Sequence, residues 1–149
     1  MVQVDTSGFG GKKLEKIAEV MSNDPEAPIV NLKMFGQVEK FVTINPAALH
    51  LRGLAGEKIK GTVYIIPENK YPFQIMGVQS TGGKLKFVLT EVKEGSSNGY
   101  ALSVENLALE AGSYNDTVIL KTDSSIRPVL QVRVYIYLRP SPQLGNLKR

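Results

Sequence analysis

The length, composition and charge of this chain exclude several classes of protein before any motif is considered. It has 149 residues, 42% hydrophobic and 21% charged, which is typical of a globular protein and not of a disordered one. No apolar run approaches the ~20 residues of a membrane-spanning helix, and the lack of cysteine excludes disulfides, thiol nucleophiles and thiolate metal sites. The net charge of +4 is spread along the chain, so neither nucleic acid nor anionic lipid is expected as a partner.

The N-terminal stretch, residues 1–37, is predicted to form two strands joined by a turn. It has no basic start followed by an apolar segment, so it carries no recognisable signal peptide. A helix is the competing interpretation, because Leu14, Ile17, Ala18 and Met21 fit the i, i+3, i+4, i+7 pattern. Strands are favoured, because a β-branched stretch one hundred residues later, "TVILKT", occupies the equivalent position.

That equivalence is a repeat within the chain. "SNDPEAP" begins at Ser22 and "TDSSIRP" begins at Thr122, and the match continues in register, with Pro28 on Pro128, Leu32 on Val132, Lys33 on Arg133 and Phe35 on Tyr135. A repeat close to the length of an immunoglobulin-like domain predicts that residues 1–37 are the terminal hairpin of a truncated preceding domain. A lone hairpin is marginal in water, so it is expected to pack on the complete domain, to pair with a second copy in a homodimer, or to be loosely ordered.

Residues 38–140 are predicted to form a complete immunoglobulin-like domain, and residues 141–149 a flexible tail. Short apolar segments alternate with turns rich in Gly, Pro, Asn and Ser, which indicates an all-β fold. The prediction is an antiparallel β-sandwich of about seven strands preceded by an extra N-terminal β-hairpin, with a barrel as the alternative. The seven predicted strands are "VEKFVTI" continuing through "ALHLRG", then "KIKGTVYII", "FQIMGVQS", "KLKFVLTEV", "YALSVENL", "TVILKT" and "VLQVRVYIYL".

Two segments also resemble a known family. "AGSYNDTVILKTDSSIRPVLQVRVYIYL" resembles the closing segment of immunoglobulin-like domains in a bacterial family catalogued only as a domain of unknown function. "VDTSGFGGKKLEKIAEVMSNDPEAPIVNLKMFGQV" resembles the end of that family's first domain, so the resemblance extends from Val4 to Leu138. The chain departs from the family by lacking the front of the first domain, including its Cys-containing stretch.

The resemblance implies a role and a location. Related sandwiches in Hydin-like, major sperm protein and PapD-like chaperone domains bind other proteins and are not enzymes. The family therefore implies a protein-interaction or structural module of a bacterial envelope protein, periplasmic or at the cell surface. It supplies no catalytic residue to transfer to this chain.

The motifs that could carry chemistry are weak, and no catalytic, cofactor or metal residue is predicted. His50 lies between two leucines, so on a strand it would point to solvent, and because the chain has one His and no Cys only carboxylates could complete a metal site around it. Asn23, Asp24 and Glu26 could hold Ca²⁺, but Asn, Asp and Pro in succession are also typical of a turn. "GFGG" and "TGG" lack the helix or Lys that phosphate binding requires. A hydrolase of unrecognised type remains an alternative.

The remaining candidates lie in the last predicted strand and just before the sixth. Tyr114 is predicted to be structural, with its hydroxyl bonded back across a sandwich corner. Alternating Arg and Tyr side chains are enriched at protein interfaces, although strands favour exposed aromatics by propensity alone and a missing hairpin partner could cover this face. The same tyrosines could instead bind carbohydrate. The predicted interaction surface consists of Arg133, Tyr135, Tyr137 and Arg139, echoed by Lys33 and Phe35.

Overall fold

The structure, a computed structural model, describes residues 1–95 and 97–142 as an all-β protein that divides into two compact units, Met1–Phe41 and Val42–Arg149. No helix of the length and hydropathy that a bilayer crossing requires occurs among these residues. The strands are β1 (Lys13–Met21), β2 (Ile29–Gln37), β3 (Val42–Asn45), β4 (Ala48–Leu54), β5 (Lys60–Pro67), β6 (Ile75–Ser80), β7 (Leu85–Glu94), β8 (Ser97–Asn106), β9 (Gly112–Thr122) and β10 (Val129–Arg139).

The second unit is a sandwich of two four-stranded sheets. One sheet has the strand order β3-β5-β8-β7 and the other has the order β4-β10-β9-β6. All neighbours are antiparallel except β4 and β10, which run parallel. This is the strand order of immunoglobulin sandwiches when β3 and β4 are taken as the two halves of the first strand. The predicted fold class is confirmed, and because the chain forms two separate sheets the barrel alternative is wrong.

The core of the sandwich comes from alternate positions of the inner strands. In β10 every second residue, from Leu130 to Leu138, is at most 3% exposed, and the residues between them are exposed. Val63 and Ile65 of β5 and Leu102 of β8 are fully buried. Period-two alternation in the sequence therefore translates directly into one apolar face per strand.

One glycine permits the two sheets to approach each other closely. A Cβ added to Gly61 of β5 would lie 2.8 Å from Leu49 Cδ1 and 3.0 Å from Leu51 Cδ2, and both leucines belong to β4 of the opposite sheet. Such distances are shorter than van der Waals contact, so a side chain at this position would force the leucines apart.

Two details of the predicted strands need correction. The first predicted strand is two strands in different sheets, β3 and β4, so the described part of the unit has eight strands instead of about seven. The break falls at Pro46, which has no N–H to continue a ladder. The predicted turn "KEGSSNG" is much shorter than its composition indicates, because β7 and β8 stay paired out to Glu94 opposite Ser97.

The first unit contains the predicted N-terminal hairpin, and the helical alternative for its first half is wrong. β1 pairs with β2 antiparallel from Lys13 opposite Gln37 to Met21 opposite Ile29. The ladder continues outward, because the Val38 N–H donates to the Lys12 carbonyl and the Gly11 N–H donates to the Val38 carbonyl, both at 2.9 Å. A strand wins over the local helical spacing because each strand satisfies the backbone groups of the other.

The tail prediction is largely outside the described residues. Ser141 and Pro142 are described, and the Ser141 hydroxyl donates to the Ala55 carbonyl at 2.6 Å. Residues 143–149 lie beyond the described range.

Candidate interaction surface

The four residues predicted on the last strand lie side by side on the outer face of one sheet. β10 is an inner strand, flanked by β4 and β9, so its backbone is hydrogen-bonded on both sides. Tyr135 and Tyr137 point outward and are 36% and 49% exposed, and Arg133 and Arg139 are also exposed. A stripe on an inner strand is held more rigidly than one on a loop, which favours a defined binding geometry.

The adjacent strand adds two side chains that sequence reasoning did not place there. The parallel register puts His50 opposite Tyr135 and Arg52 opposite Tyr137. The His50 and Tyr135 rings stack, with centroids 5.0 Å apart and planes 16° from parallel. We call the set of His50, Arg52, Arg133, Tyr135, Tyr137 and Arg139 the cationic face. The sequence predicted only that His50 points to solvent, since strand pairing between distant segments leaves no local signal.

The electrostatic character of the cationic face is uniform. The outward positions of β4, β9 and β10, all of which the structure describes, contain three arginines and Lys121 and no Asp or Glu. None of the three guanidinium groups forms an ion pair with a carboxylate of residues 1–95 or 97–142. The face therefore presents five-donor forks and flat aromatic area without internal neutralisation.

Lys33 and Phe35, the echo of this stripe, belong to the other unit. Both lie on one side of β2 and both are exposed, with Phe35 82% accessible. Lys33 Nζ is 2.8 Å from the Glu15 carboxylate on β1, so its charge is paired, unlike those of the arginines. Lys33 and Phe35 therefore occupy positions equivalent to those of Arg133 and Tyr135, but the charge of Lys33 is neutralised by an ion pair.

A buried carboxylate, which the sequence analysis did not single out, supports the sheet that carries the cationic face. Asp116 in β9 is 5% exposed and accepts hydrogen bonds from the Ser80 hydroxyl at 2.6 Å and from the Gly82 and Lys84 N–H groups at 2.8 and 3.0 Å. Burial alone would raise the pKa of Asp116, but the bonds from Ser80, Gly82, Lys84 and Thr117 together lower this pKa below its ordinary value. The ionised carboxylate of Asp116 thus holds the turn between β6 and β7 in place.

Asn106 performs the corresponding task at another loop. It is fully buried, and its side-chain oxygen accepts from the Ile59 N–H at 2.5 Å. Its amide nitrogen donates to the carbonyls of Glu57 and Ala108 at 3.1 and 2.8 Å. The side chain therefore satisfies backbone groups that the loop before β5 would otherwise bury unpaired.

Tyr114 has the bond that was predicted for it. Its hydroxyl donates to the carbonyl of Glu110, four residues upstream, at 3.1 Å. Lys84 Nζ also lies 5.1 Å from the centre of its ring. The residue closes a corner of the sandwich at the start of β9.

The acidic turn "SNDPE" uses its oxygen atoms for its own backbone. Ser22 Oγ accepts from the Asp24 N–H at 3.1 Å, and Asp24 Oδ1 accepts from the Glu26 N–H at 2.9 Å. No group of three or more metal-ligating side chains of His, Asp or Glu occurs within the described part of the chain. The geometry is that of consecutive side-chain capped turns.

A separate cleft lies where the β5–β6 loop meets the β7–β8 hairpin. It measures about 840 Å³, within the range of small-molecule sites. Its lining includes Phe73 and Tyr100 together with Glu68, Glu91 and Asp123. Part of this polarity is already used, because Asp123 accepts from the Gln74 N–H at 2.7 Å and the Tyr100 hydroxyl accepts from the Ile75 N–H at 3.3 Å.

Comparison with known proteins supports the fold and leaves the family open. No family model matches the chain, and no curated protein matches it. A solved structure of a protein of unknown function from Porphyromonas gingivalis W83 is similar, with a TM-score of 0.55 and 13% identity over 88% of this chain and 68% of that one. The structure of mouse clustered PcdhgC3 EC1-3 matches with a TM-score of 0.41 and 12% identity over 93% of this chain and 47% of that one, too low to carry an argument.

Fold and surface together define the class of this protein. It contains an immunoglobulin-like β-sandwich with a cationic aromatic sheet face, preceded by a β-hairpin. The similarity to solved structures reaches the fold alone, so the resemblance to a bacterial family of unknown function stays a prediction.

Proposed function

We propose that the chain is a non-catalytic immunoglobulin-like module that binds another protein through its cationic face. The observation that carries this proposal is the combination of Arg52, Arg133 and Arg139 with Tyr135 and Tyr137 on one sheet surface without a carboxylate. Arg and Tyr are among the residue types that contribute most binding energy at protein interfaces, because they supply area and hydrogen bonds together.

The charge of the face indicates the chemistry of the partner. The three guanidinium groups, which have no ion pair among the described residues, attract a surface rich in Asp and Glu, because a carboxylate accepts two parallel hydrogen bonds from each fork. Attraction of this kind accelerates association and weakens as salt screens it, with a Debye length of about 8 Å at physiological ionic strength. The proposed partner is therefore an acidic protein surface.

Site-specific photocrosslinking tests this proposal. A photoreactive amino acid at position 135 is compared with the same group at position 64, because Tyr64 is 48% exposed on a strand of the other sheet. We expect one dominant protein adduct from position 135 in lysate of the source cells, lost in Arg133→Glu and weakened by high salt. Equal adducts from positions 135 and 64, or an adduct that survives Arg133→Glu, would contradict the proposal.

A carbohydrate-binding module is the second candidate, and the cleft is the observation that favours it. Aromatic rings beside carboxylates suit the apolar faces and hydroxyl groups of sugars, and Phe73 and Tyr100 lie among Glu68, Glu91 and Asp123. A glycan array distinguishes the two sites, because Tyr100→Ala would abolish sugar binding in the cleft and Tyr137→Ala would abolish binding on the cationic face. An array without any signal would contradict carbohydrate binding at both sites, and protein binding would remain as the proposal.

The non-catalytic role and the envelope location belong to the same proposal. Support for the location comes from the family resemblance. Support for the role comes from the face, where the imidazole of His50 stacks on Tyr135 and makes no hydrogen bond to a hydroxyl group of the described residues. A broad hydrolase screen with a positive result that Arg133→Glu leaves unchanged would favour the enzyme alternative.

A further inference from the structure

We propose that β1 and β2 are the closing hairpin of a second immunoglobulin-like sandwich, whose other strands belong to polypeptide on the N-terminal side of this chain. The hairpin is the structural counterpart of β9 and β10, displaced by one hundred residues.

The register of the two hairpins is the same pair by pair. Lys13 lies opposite Gln37 in the first hairpin, and Ser113 lies opposite Tyr137 in the second. At the other end Met21 lies opposite Ile29, and Lys121 lies opposite Val129. Because a slip of one residue would turn every side chain to the wrong face, agreement along the whole ladder preserves the inward and outward sets.

The turns agree down to individual hydrogen bonds. The Ser22 N–H donates to the Pro28 carbonyl at 2.8 Å, and the Thr122 N–H donates to the Pro128 carbonyl at 2.9 Å. The hydroxyl of Ser22 accepts from the N–H two residues on at 3.1 Å, as the hydroxyl of Thr122 does at 3.2 Å. Asp24 Oδ1 and Ser124 Oγ each accept from the N–H two residues further.

The difference lies in what covers the inward face. Leu120, Leu130 and Val132 are at most 3% exposed, because they face the sheet β3-β5-β8-β7. Their counterparts Val20, Val30 and Leu32 are 42%, 39% and 42% exposed. The hairpin thus has the apolar pattern of a sandwich interior, but its apolar face remains partly exposed at these three positions.

The edges of the hairpin indicate which strands are needed. β10 has a parallel neighbour in β4, and β9 has an antiparallel neighbour in β6. By equivalence, the free edge of β2 would take a parallel strand and the free edge of β1 an antiparallel one, and a further sheet would cover the apolar face. The segment that covers the hairpin is therefore the remainder of a sandwich, made of strands equivalent to β3 to β8.

A second copy of this chain is a poorer occupant. Two hairpins stacked face to face would each contribute Ala18, Val20, Val30, Leu32 and Met34, whereas a stable protein interface uses roughly 20–30 residues on each side. In a second copy the matching inner sheet is already covered by its own β9 and β10. An incomplete sandwich offers both a free inner face and free edges, so it buries far more of the hairpin.

One position shows that the missing strands differ in detail from those of this chain. The counterpart of Asp116, which accepts bonds from the turn between β6 and β7, is Lys16. A lysine cannot accept those bonds. The missing domain must therefore have a different turn at that place, and a fair test with strands of this chain must replace Lys16 by Asp.

The test compares backbone hydrogen exchange in the 149-residue chain with that in a fused chain. In the fused chain residues 38–111 precede residue 12 directly, as they precede residue 112 in the complete sandwich, and Lys16→Asp is included. We expect β1 and β2 to exchange at least ~100-fold faster than β9 and β10 in the 149-residue chain. In the fused chain the exchange of β1 and β2 should slow by a similar factor. Leu32→Asp on the inward face should abolish this protection, whereas Phe35→Asp on the opposite face should leave it in place.

Two outcomes of the exchange experiment would overturn the proposal. Hairpin exchange that slows with increasing protein concentration in the 149-residue chain would show that a second copy covers the hairpin. Hairpin amides that stay unprotected in a soluble fused chain would show that the added strands do not pair with the hairpin. An independent measurement does not depend on the fusion. An immunoglobulin sandwich has about 100 residues and residues 1–37 supply its end, so the protein isolated from its source should carry roughly 60 residues before Met1 by mass spectrometry. A natural protein that begins at Met1 would contradict the proposal.

Discussion

At the scale of single residues, Asp116 occupies a position that strand alternation would assign to an apolar side chain. It lies on the inward face of β9, in line with Val118 and Leu120, yet it is a carboxylate. Its oxygens accept from two hydroxyl groups and from three N–H groups, so the cost of burial is offset by charge-assisted bonds. A polar residue at an inward position therefore marks the place where a turn is tied to the sheet.

The lowered pKa of Asp116 predicts how stability depends on pH. Because its folded-state pKa is lower than the ordinary value of 3.8, ionised Asp116 stabilises the fold above that value, and the contribution is lost as pH falls through the folded-state pKa. Asp116→Asn should lower the free energy of unfolding at pH 7 by about 1.5–3 kcal/mol and flatten its decline between about pH 5 and pH 2. Denaturant titrations across pH provide the measurement.

The matched control for Asp116 is an exposed carboxylate. Glu110→Gln changes a side chain that accepts no hydrogen bond from residues 1–95 or 97–142, so it should leave stability at pH 7 within about 0.5 kcal/mol. An acid-induced loss of stability that is as steep in Asp116→Asn as in the unchanged protein would show that another group titrates.

Tyr114 provides a second prediction at this scale. Tyr114→Phe removes only the hydroxyl that donates to the Glu110 carbonyl, so unfolding should become easier by about 1 kcal/mol. Tyr64→Phe is the control, because Tyr64 is 48% exposed and makes no hydrogen bond through its hydroxyl to the described residues. Thermal melting of both variants provides the comparison, and equal melting temperatures would mean that the corner bond does not stabilise the sandwich.

At the scale of elements, the two equivalent hairpins separate local pattern from tertiary packing. They share register and turn bonds, so their local sequences specify the same backbone. They differ in burial, because β9 and β10 face the sheet β3-β5-β8-β7, whereas Val20, Val30 and Leu32 of the first hairpin remain partly exposed. Side-chain burial, and with it most of the stabilising free energy, is therefore a property of the partner and not of the hairpin.

This difference predicts unequal effects of the same substitution. Leu130 is 3% exposed and Leu32 is 42% exposed, and both lie on the inward face of the second strand of their hairpins. Leu130→Ala should lower the free energy of unfolding of the 149-residue chain by about 2–5 kcal/mol through lost burial and a cavity. Leu32→Ala should lower it by less than about 1 kcal/mol. Chemical denaturation measures both, and equal losses would show that the hairpin face is covered.

At the scale of the whole molecule, the two units have unequal resources for stability. The larger unit contains both facing sheets and nearly all the fully buried side chains, and the smaller one contains a single two-stranded sheet. A two-stranded hairpin is marginally stable in water, whereas two packed sheets support cooperative folding.

Deletion of residues 1–37 tests this inequality. The remaining chain retains every strand of the sandwich, so we expect one cooperative transition with a melting temperature within a few degrees of that of the 149-residue chain. Calorimetry and circular dichroism provide the measurement. A shortened chain that fails to unfold cooperatively would show that the sandwich needs the N-terminal residues.

By itself the sequence determined the all-β class, the inward and outward faces of β10, the corner at Tyr114 and the equivalence of the two hairpins. These depend on period-two alternation, on turn residues and on an internal repeat, which are local or self-referential signals. Only the tertiary structure decided three other features. These are the split of the first strand into β3 and β4, the place of His50 and Arg52 beside the tyrosines, and the bonds of Asp116 and Asn106. The physical reason is that strand pairing and loop anchoring join residues as far apart as Ala48 and Arg133, and a local pattern specifies which face a side chain takes but not which distant strand will face it.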